Sequence, residues 1–277
     1  MSDSLLTATA DFTGRRLRCN GAPVAMPPSP MRESQEADDT EQRRRLDGDG
    51  YLFLRGALPI EQVTECRRQV LEVYREALQP GTALLEGLCA DPIPPGVFTA
   101  ANALRANRVP AYAALCHSAA VIGTHERLLG GLIHLHRRKI IRLLPPGGRV
   151  GDVHQDFCYL AEGTVDVLTS WIPLGDVPIE VGGLMVLEGS HVHGALPHCR
   201  QMAPPDAMRE ELGGAWRTAD YRLGDMVIFR ATLVHTGLDN VDGEGRRIRL
   251  SSDTRYQRVD APLDPRWQNE WHPLDGL

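Results

Sequence analysis

Residues 224–235, GDMVIFRATLVH, open on a Gly–Asp turn, continue as a strand at 226–229, turn again and end on a histidine. Runs of β-formers bounded by Gly and Asp mark short strands. The same pattern recurs on both sides of this stretch. LIHLHRRKIIRLL (132–144), VHQDFCYL (153–160), VDVLTSWIPL (165–174), GGLMVLEGSH (182–191) and RRIRLSSDTRY (246–256) are all short and separated by Gly, Pro and Asp turns. This series predicts a sandwich or barrel built from two sheets.

Ahead of the strands the chain is helical. In PIEQVTECRRQVLEVYREAL (59–78), Pro59 suits a first helical position, and Val63, Cys66, Val70, Leu71 and Tyr74 fall on one face. Residues 109–130 supply further Ala-rich helical pieces, and 33–58 read as a polar helix, a Gly-rich turn and a strand at 51–55. The turn DGDG is no calcium loop: Tyr51 stands where Asp or Asn is needed and Leu58 where a bidentate Glu is needed. Helices first and strands after is an α+β order, with helices packed outside a β core. The helical half alone has too thin a core to stand apart, so residues 36–277 are expected to form a single domain. Residues 1–35, mixed in Pro, Ser and Gly, are expected to be a loosely held, flexible arm.

With 277 residues, 42% of them hydrophobic, the chain can bury a sizeable core. Its formal charge of −6 argues against a nucleic-acid or anionic-membrane partner, either of which favours a basic surface. No apolar run is long enough to span a bilayer, and MSDSLLTATADFTGRR lacks the pattern of a signal peptide. Cys19, Cys66, Cys89, Cys116, Cys158 and Cys199 show no CxxC spacing, so reduced thiols in a cytoplasmic protein are expected.

The chemistry gathers in three places. His154 and Asp156 are two apart in an apparent strand, which turns both to one face. Such a pair is either a hydrogen-bonded structural pair or half a metal site. His235, after ATLV, offers a third ligand where a β fold brings distant strands together. Two histidines and one carboxylate make the facial triad of non-haem Fe(II) oxygenases, with zinc the competing metal. Arg246, eleven residues past His235 and read as opening a strand, can grip a carboxylate through two parallel hydrogen bonds. Zinc chemistry has no need of that cation. An enzyme using 2-oxoglutarate does, because the far carboxylate of the cosubstrate needs a buried partner.

In this order the motifs resemble the phytanoyl-CoA dioxygenase family of Fe(II)- and 2-oxoglutarate-dependent oxygenases. The stretches that carry the resemblance are DGYLFLRGAL, HQDF (154–157), SWIPL (170–174), GGLMVLEGSH, GDMVIFRATLVH and Arg246, spread over 47–256. The resemblance implies a double-stranded β-helix, the jelly-roll of cupin-like proteins. It implies His154, Asp156 and His235 as iron ligands, Arg246 on the distal carboxylate of 2-oxoglutarate, and Trp171 lining the cosubstrate pocket. Arg249, which opens an RLS triplet like the Arg-x-Ser clamp of related oxygenases, is the rival of Arg246. The reaction implied is O2-dependent hydroxylation of a C–H bond in a small organic substrate, with release of succinate and CO2. Asp156 stands where related halogenases have a small residue, which argues against halogenation. Cyclisation, desaturation and epimerisation use the same ligands; a zinc hydrolase and a non-catalytic metal-binding protein are the readings of another class. No CoA-binding basic cluster is evident, which favours a free small molecule such as a specialised metabolite.

Other polar residues receive plainer readings. Cys158 shares the face of His154 and Asp156 if the strand continues, and is expected to be a core thiol. HVHGALPHC (191–199) is read as a hydrogen-bonded loop tied down by His191, not a second metal site. His134 and His136 are assigned to surface or core. Lys139 or Arg142 is expected to add a polar contact to 2-oxoglutarate.

Overall fold

A computed structural model of the chain describes residues 12–273. Twelve described strands follow in chain order: β1 (Arg18–Cys19), β2 (Ala22–Pro23), β3 (Ser29–Pro30), β4 (Tyr51–Leu54), β5 (Ile133–Leu135), β6 (Ile140–Leu144), β7 (Val167–Pro173), β8 (Leu184–Leu187), β9 (Trp216–Thr218), β10 (Met226–Arg230), β11 (His235–Gly237) and β12 (Arg249–Arg258). The described helices are α1 (Asp39–Asp49), α2 (Ile60–Val73), α3 (Ala100–Asn107), α4 (Pro110–Cys116), α5 (Ala119–Leu129) and α6 (Pro205–Leu212). The larger sheet has the order β4-β10-β7-β12, with β5 and β6 both pairing with the far edge of β12. The smaller sheet has the order β11-β8-β9-β3. The two face each other as a jelly-roll, as the strand pattern and the family resemblance led us to expect.

Alternation along each strand decides what faces the interior, because successive side chains leave opposite faces of a sheet. On β4, Leu52 and Leu54 pack toward the helices, while Tyr51 and Phe53 enter the space between the sheets. On β10, Met226 and Ile228 take the helical side, and Val227 and Phe229 the interior. The helical layer is completed by Val63, Cys66, Val70 and Leu71 of α2, Tyr112, Leu115 and Cys116 of α4, and Val121 of α5. Helix α5 also buries His125, stacked on Tyr256 at 4.0 Å and 3.0 Å from Ser170 Oγ. Burial pushes this imidazole down to about 4, so it is held neutral. Pro59 caps α2 one residue ahead of its first turn. Gly50 ends α1 with φ 83°, and a Cβ there would sit 2.4 Å from His191 Nδ1. Only glycine meets both conditions.

The expectation of a loose arm needs correction for its described part. Residues 1–11 lie outside the described residues. From Phe12 onward the segment is pinned to the sandwich: Phe12, Leu17, Cys19 and Met31 are buried, and β3 pairs in parallel with β9. The hairpin β1–β2 docks through Asp239, whose amide donates to the Arg18 carbonyl and whose carboxylate accepts from the Gly21 amide. Buried apolar side chains and satisfied backbone groups outweigh the Pro- and Ser-rich composition. No helix among the described residues is long and apolar enough to cross a membrane.

Candidate active site

His154 and His235 lie directly opposite each other. The amide of each donates to the carbonyl of the other at 3.0 Å, an isolated antiparallel bridge at the mouth of the sandwich. Both rings are oriented by their own backbone. His154 Nδ1 lies 2.8 Å from the Asp152 carbonyl, and His235 Nδ1 lies 2.9 Å from the Leu233 carbonyl. A carbonyl only accepts, so Nδ1 carries the proton in each ring and Nε2 presents a lone pair. These two Nε2 atoms stand 3.9 and 3.8 Å from a single oxygen, Oδ1 of Asp156. Among the described residues, these three form the group whose donor atoms, all within 4.8 Å of one another, are disposed to hold a metal ion. Two imidazoles and one carboxylate, buried and aimed at one point, fit a divalent transition metal such as Fe(II).

The strand expected at HQD ends sooner than the sequence suggested. After His154 the chain turns into a 3-10 helix, Asp156–Tyr159, so Asp156 reaches the site from a turn. Cys158 therefore leaves the site face. Its sulfur is bonded to Cys199, in a disulfide that ties the 3-10 helix to the 190s loop. This overturns the expectation of reduced thiols for these two residues. Cys19, Cys66, Cys89 and Cys116 are free and buried.

Both oxygens of Asp156 are engaged. Arg255 donates from Nη2 to Oδ1 at 2.7 Å and from Nε to Oδ2 at 3.1 Å, and Thr169 donates its hydroxyl to Oδ2 at 2.5 Å. Burial alone would raise the carboxyl, but the Arg255 charge and its hydrogen bonds outweigh it and hold it well below the carboxylate range. For His154, burial pushes the imidazole down to about 4.

The triad opens into a cavity of about 510 Å³ lined by Trp171, Phe229, Arg249 and Trp267 among others. This is a size ordinary for small-molecule sites. Arg249 is buried on its wall; its Nη1 lies 3.5 Å from Ser251 Oγ, and among the described residues its Nε has no partner. A buried, under-satisfied guanidinium inside a cavity calls for an anion. Arg246 does something else. It sits three residues before β12 in a left-handed turn, φ 53°, and is not part of the cavity wall. Its guanidinium binds the carbonyls of Cys89 and Ala90 and pairs with Asp91 at 2.8 Å. The strand predicted to open at Arg246 begins at Arg249, and that displacement turns Arg246 away.

Trp171 lines the cavity, packed on Tyr221 with ring centroids 4.6 Å apart. Arg142 also lines it, held 2.8 Å from Asp253, whereas Lys139 is not part of the wall. His191 ties its loop to the Asp47 carbonyl at 2.9 Å. His134 and His136 bond Gln268 and Gln257, away from the triad. Sequence reading missed Thr169, Arg255 and Trp267. The first two lie opposite each other in the register of β7 and β12, a pairing that no local motif announces.

Comparison with known proteins agrees with this geometry. The family model described as phytanoyl-CoA dioxygenase matches residues 46–248, well over half of the chain. A curated relative, 1-deoxypentalenic acid 11-beta-hydroxylase of Streptomyces exfoliatus, is 28% identical over 246 residues covering 83% of each chain. Among solved structures, EctD from S. alaskensis, crystallised with 2-oxoglutarate and 5-hydroxyectoine, superposes with a TM-score of 0.60 at 18% identity, covering 96% of this chain and 95% of that one. The alpha-ketoglutarate-dependent epimerase SnoN from nogalamycin biosynthesis gives 0.56 at 22% identity, covering 82% and 85%. From the family match, the jelly-roll and the His–Asp–His triad together, the chain belongs to the phytanoyl-CoA dioxygenase family.

Proposed function

We propose that this protein is an Fe(II)- and 2-oxoglutarate-dependent dioxygenase that hydroxylates a saturated carbon of a small organic acid. The observation that carries the reading is the pairing of two features in one cavity: a triad with both Nε2 lone pairs aimed at Asp156 Oδ1, and a buried guanidinium with an unpartnered Nε. His154, Asp156 and His235 would hold the iron. Arg249 would take the distal carboxylate of 2-oxoglutarate, with Ser251 beside it and Trp171 walling the cosubstrate. Bound together with O2, these groups supply oxidative decarboxylation to succinate and CO2 and the oxidation of a C–H bond.

The protein's own share is orientation and exclusion of water. The backbone carbonyls of Asp152 and Leu233 fix both imidazole tautomers, so neither ring has to reorganise to present its lone pair. Phe229, Trp171 and Trp267 keep the cavity walls apolar around the charged groups. The retained carboxylate of Asp156 fills a metal position and supports hydroxylation over halogenation. An acidic substrate is supported by Arg149 and Arg200 on the cavity wall, and by the acid hydroxylated by the Streptomyces relative.

Release of 14CO2 from [1-14C]2-oxoglutarate, in the presence of Fe(II) and O2, tests the reading. The wild type should release it, and His154→Ala and Asp156→Ala should not. Equal release by the folded variants would show that the metal is held elsewhere.

A further inference from the structure

We propose that Arg255 and Thr169 are positioning residues that fix Asp156 as a one-oxygen metal ligand, presenting Oδ1 and holding Oδ2 away from the metal. The inference rests on the proposed triad and extends it to the residues that hold its carboxylate.

The geometry separates the two oxygens. Oδ1 is the atom that both histidine Nε2 atoms approach, at 3.9 and 3.8 Å. Oδ2, the other oxygen, is held twice, by the Thr169 hydroxyl at 2.5 Å and by Arg255 Nε at 3.1 Å. The second Arg255 contact, from Nη2 to Oδ1 at 2.7 Å, makes the pair a two-pronged fork, the arrangement that fixes a carboxylate plane most firmly. A carboxylate held in this way cannot rotate to offer both oxygens to one ion.

The holders are themselves fixed. Thr169 and Arg255 are opposite partners in the register of β7 and β12, with their side chains on the inner face of the sheet. Thr169 is 1% exposed and Arg255 3%, so water does not compete for either. The Arg255 guanidinium also lies over the Trp267 ring at 5.1 Å. Trp267 in turn donates its indole N–H to the Tyr159 carbonyl at 2.8 Å, in the same 3-10 helix that carries Asp156. The C-terminal segment therefore closes a ring of contacts around the carboxylate.

The consequence concerns the number of positions left for chemistry. A triad with a one-oxygen carboxylate leaves three open positions on an octahedral metal, two for a chelating cosubstrate and one for O2. A carboxylate that closed with both oxygens would take one of those three. Arg255 and Thr169 would thus preserve a vacant position by holding the carboxylate.

The test uses Co(II)-loaded full-length protein. Its visible absorption reports coordination number, and 2-oxoglutarate binding is titrated on the same samples. Thr169→Val removes one hydroxyl at nearly constant volume and charge, and Arg255→Lys keeps the charge but not the fork. The proposal predicts that each variant changes the Co(II) spectrum and weakens 2-oxoglutarate about tenfold, the scale on which such outer contacts act. Metal-free melting temperatures control for a merely structural role, which would move the melt but not the spectrum of the folded protein. A wild-type Co(II) spectrum in folded Thr169→Val would overturn the proposal, whatever becomes of Arg255→Lys. His154→Ala is the separate control: if it retains wild-type Co(II) binding, the metal is not held by the triad, and it is the triad that fails.

Discussion

Replacing Arg249 with Met should make the metal-free protein more stable while destroying its affinity for 2-oxoglutarate. Burial pushes the Arg249 guanidinium down to about 10 from an ordinary 12.5. A cation whose folded-state value is depressed is destabilising wherever it stays charged, which here means at every pH below about 10. At pH 7.5 that burden is about 3 kcal/mol. Asp253 offsets part of it already, and Ser251 Oγ at 3.5 Å contributes one weak contact. Met keeps the length and apolar stem of the side chain, so the loss in packing is small. A net gain of about 2 kcal/mol should raise the melting temperature by roughly 5 °C. The same substitution removes the proposed buried partner of the cosubstrate's carboxylate, a loss that typically costs about 2–5 kcal/mol, or at least about 30-fold in binding. Scanning calorimetry of the metal-free protein and a 2-oxoglutarate titration of the Fe(II) form read the two effects. If Arg249→Met melts below the wild type, or binds 2-oxoglutarate within about threefold of it, the reasoning about this guanidinium fails.

Other substitutions separate the neighbouring roles. Arg246→Ala should leave 2-oxoglutarate affinity unchanged and lower stability by about 1–2 kcal/mol, through lost contacts to Cys89, Ala90 and Asp91; a selective loss of cosubstrate binding would return the carboxylate role to Arg246. Acid should weaken the fold through His125 and His136, each buried and pushed down to about 4. The unfolded chain binds these protons near pH 6.5 and the folded chain does not, so stability falls as pH drops from about 6.5 toward 4. By pH 4.5 the loss is about 2.5 kcal/mol per histidine, visible in urea melts against pH 7.5. A flat profile over that range would contradict the assignment. Reduction of Cys158–Cys199, which spans 41 residues, should cost up to about 4 kcal/mol. Thermal melts with and without reductant measure it, and Cys199→Ser should melt alike in both.

What the sequence disclosed followed the range over which each signal acts. His154, Asp156 and His235 were legible because ligand types at motif spacing are local features, and the family order supplied the bridge between strands. The jelly-roll was legible because turns and β-formers are local too. The choice between Arg246 and Arg249 was not, because RRIR offers several cations and only the true start of β12 says which one enters the cavity. Thr169 and Arg255 were hidden for a related reason: their meeting depends on cross-strand register between segments far apart in the chain. The Cys158–Cys199 bond escaped a rule about cysteine spacing because the 190s loop is brought to Gln155 and Val153 by backbone pairing, through the Cys199 carbonyl and the Met202 amide. The arm misled through composition, since a few buried anchors such as Phe12, Leu17 and Met31 suffice to hold a Pro- and Ser-rich segment.

The central claim, that the triad and Arg249 together hold Fe(II) and 2-oxoglutarate, is tested most directly by anaerobic visible spectroscopy. Mixing the folded protein with Fe(II) and 2-oxoglutarate should produce the metal-to-ligand charge-transfer band of the chelate. The band should vanish in His235→Ala and require far more 2-oxoglutarate in Arg249→Met. A folded, Fe(II)-loaded wild-type protein that shows no band at saturating 2-oxoglutarate would contradict the account.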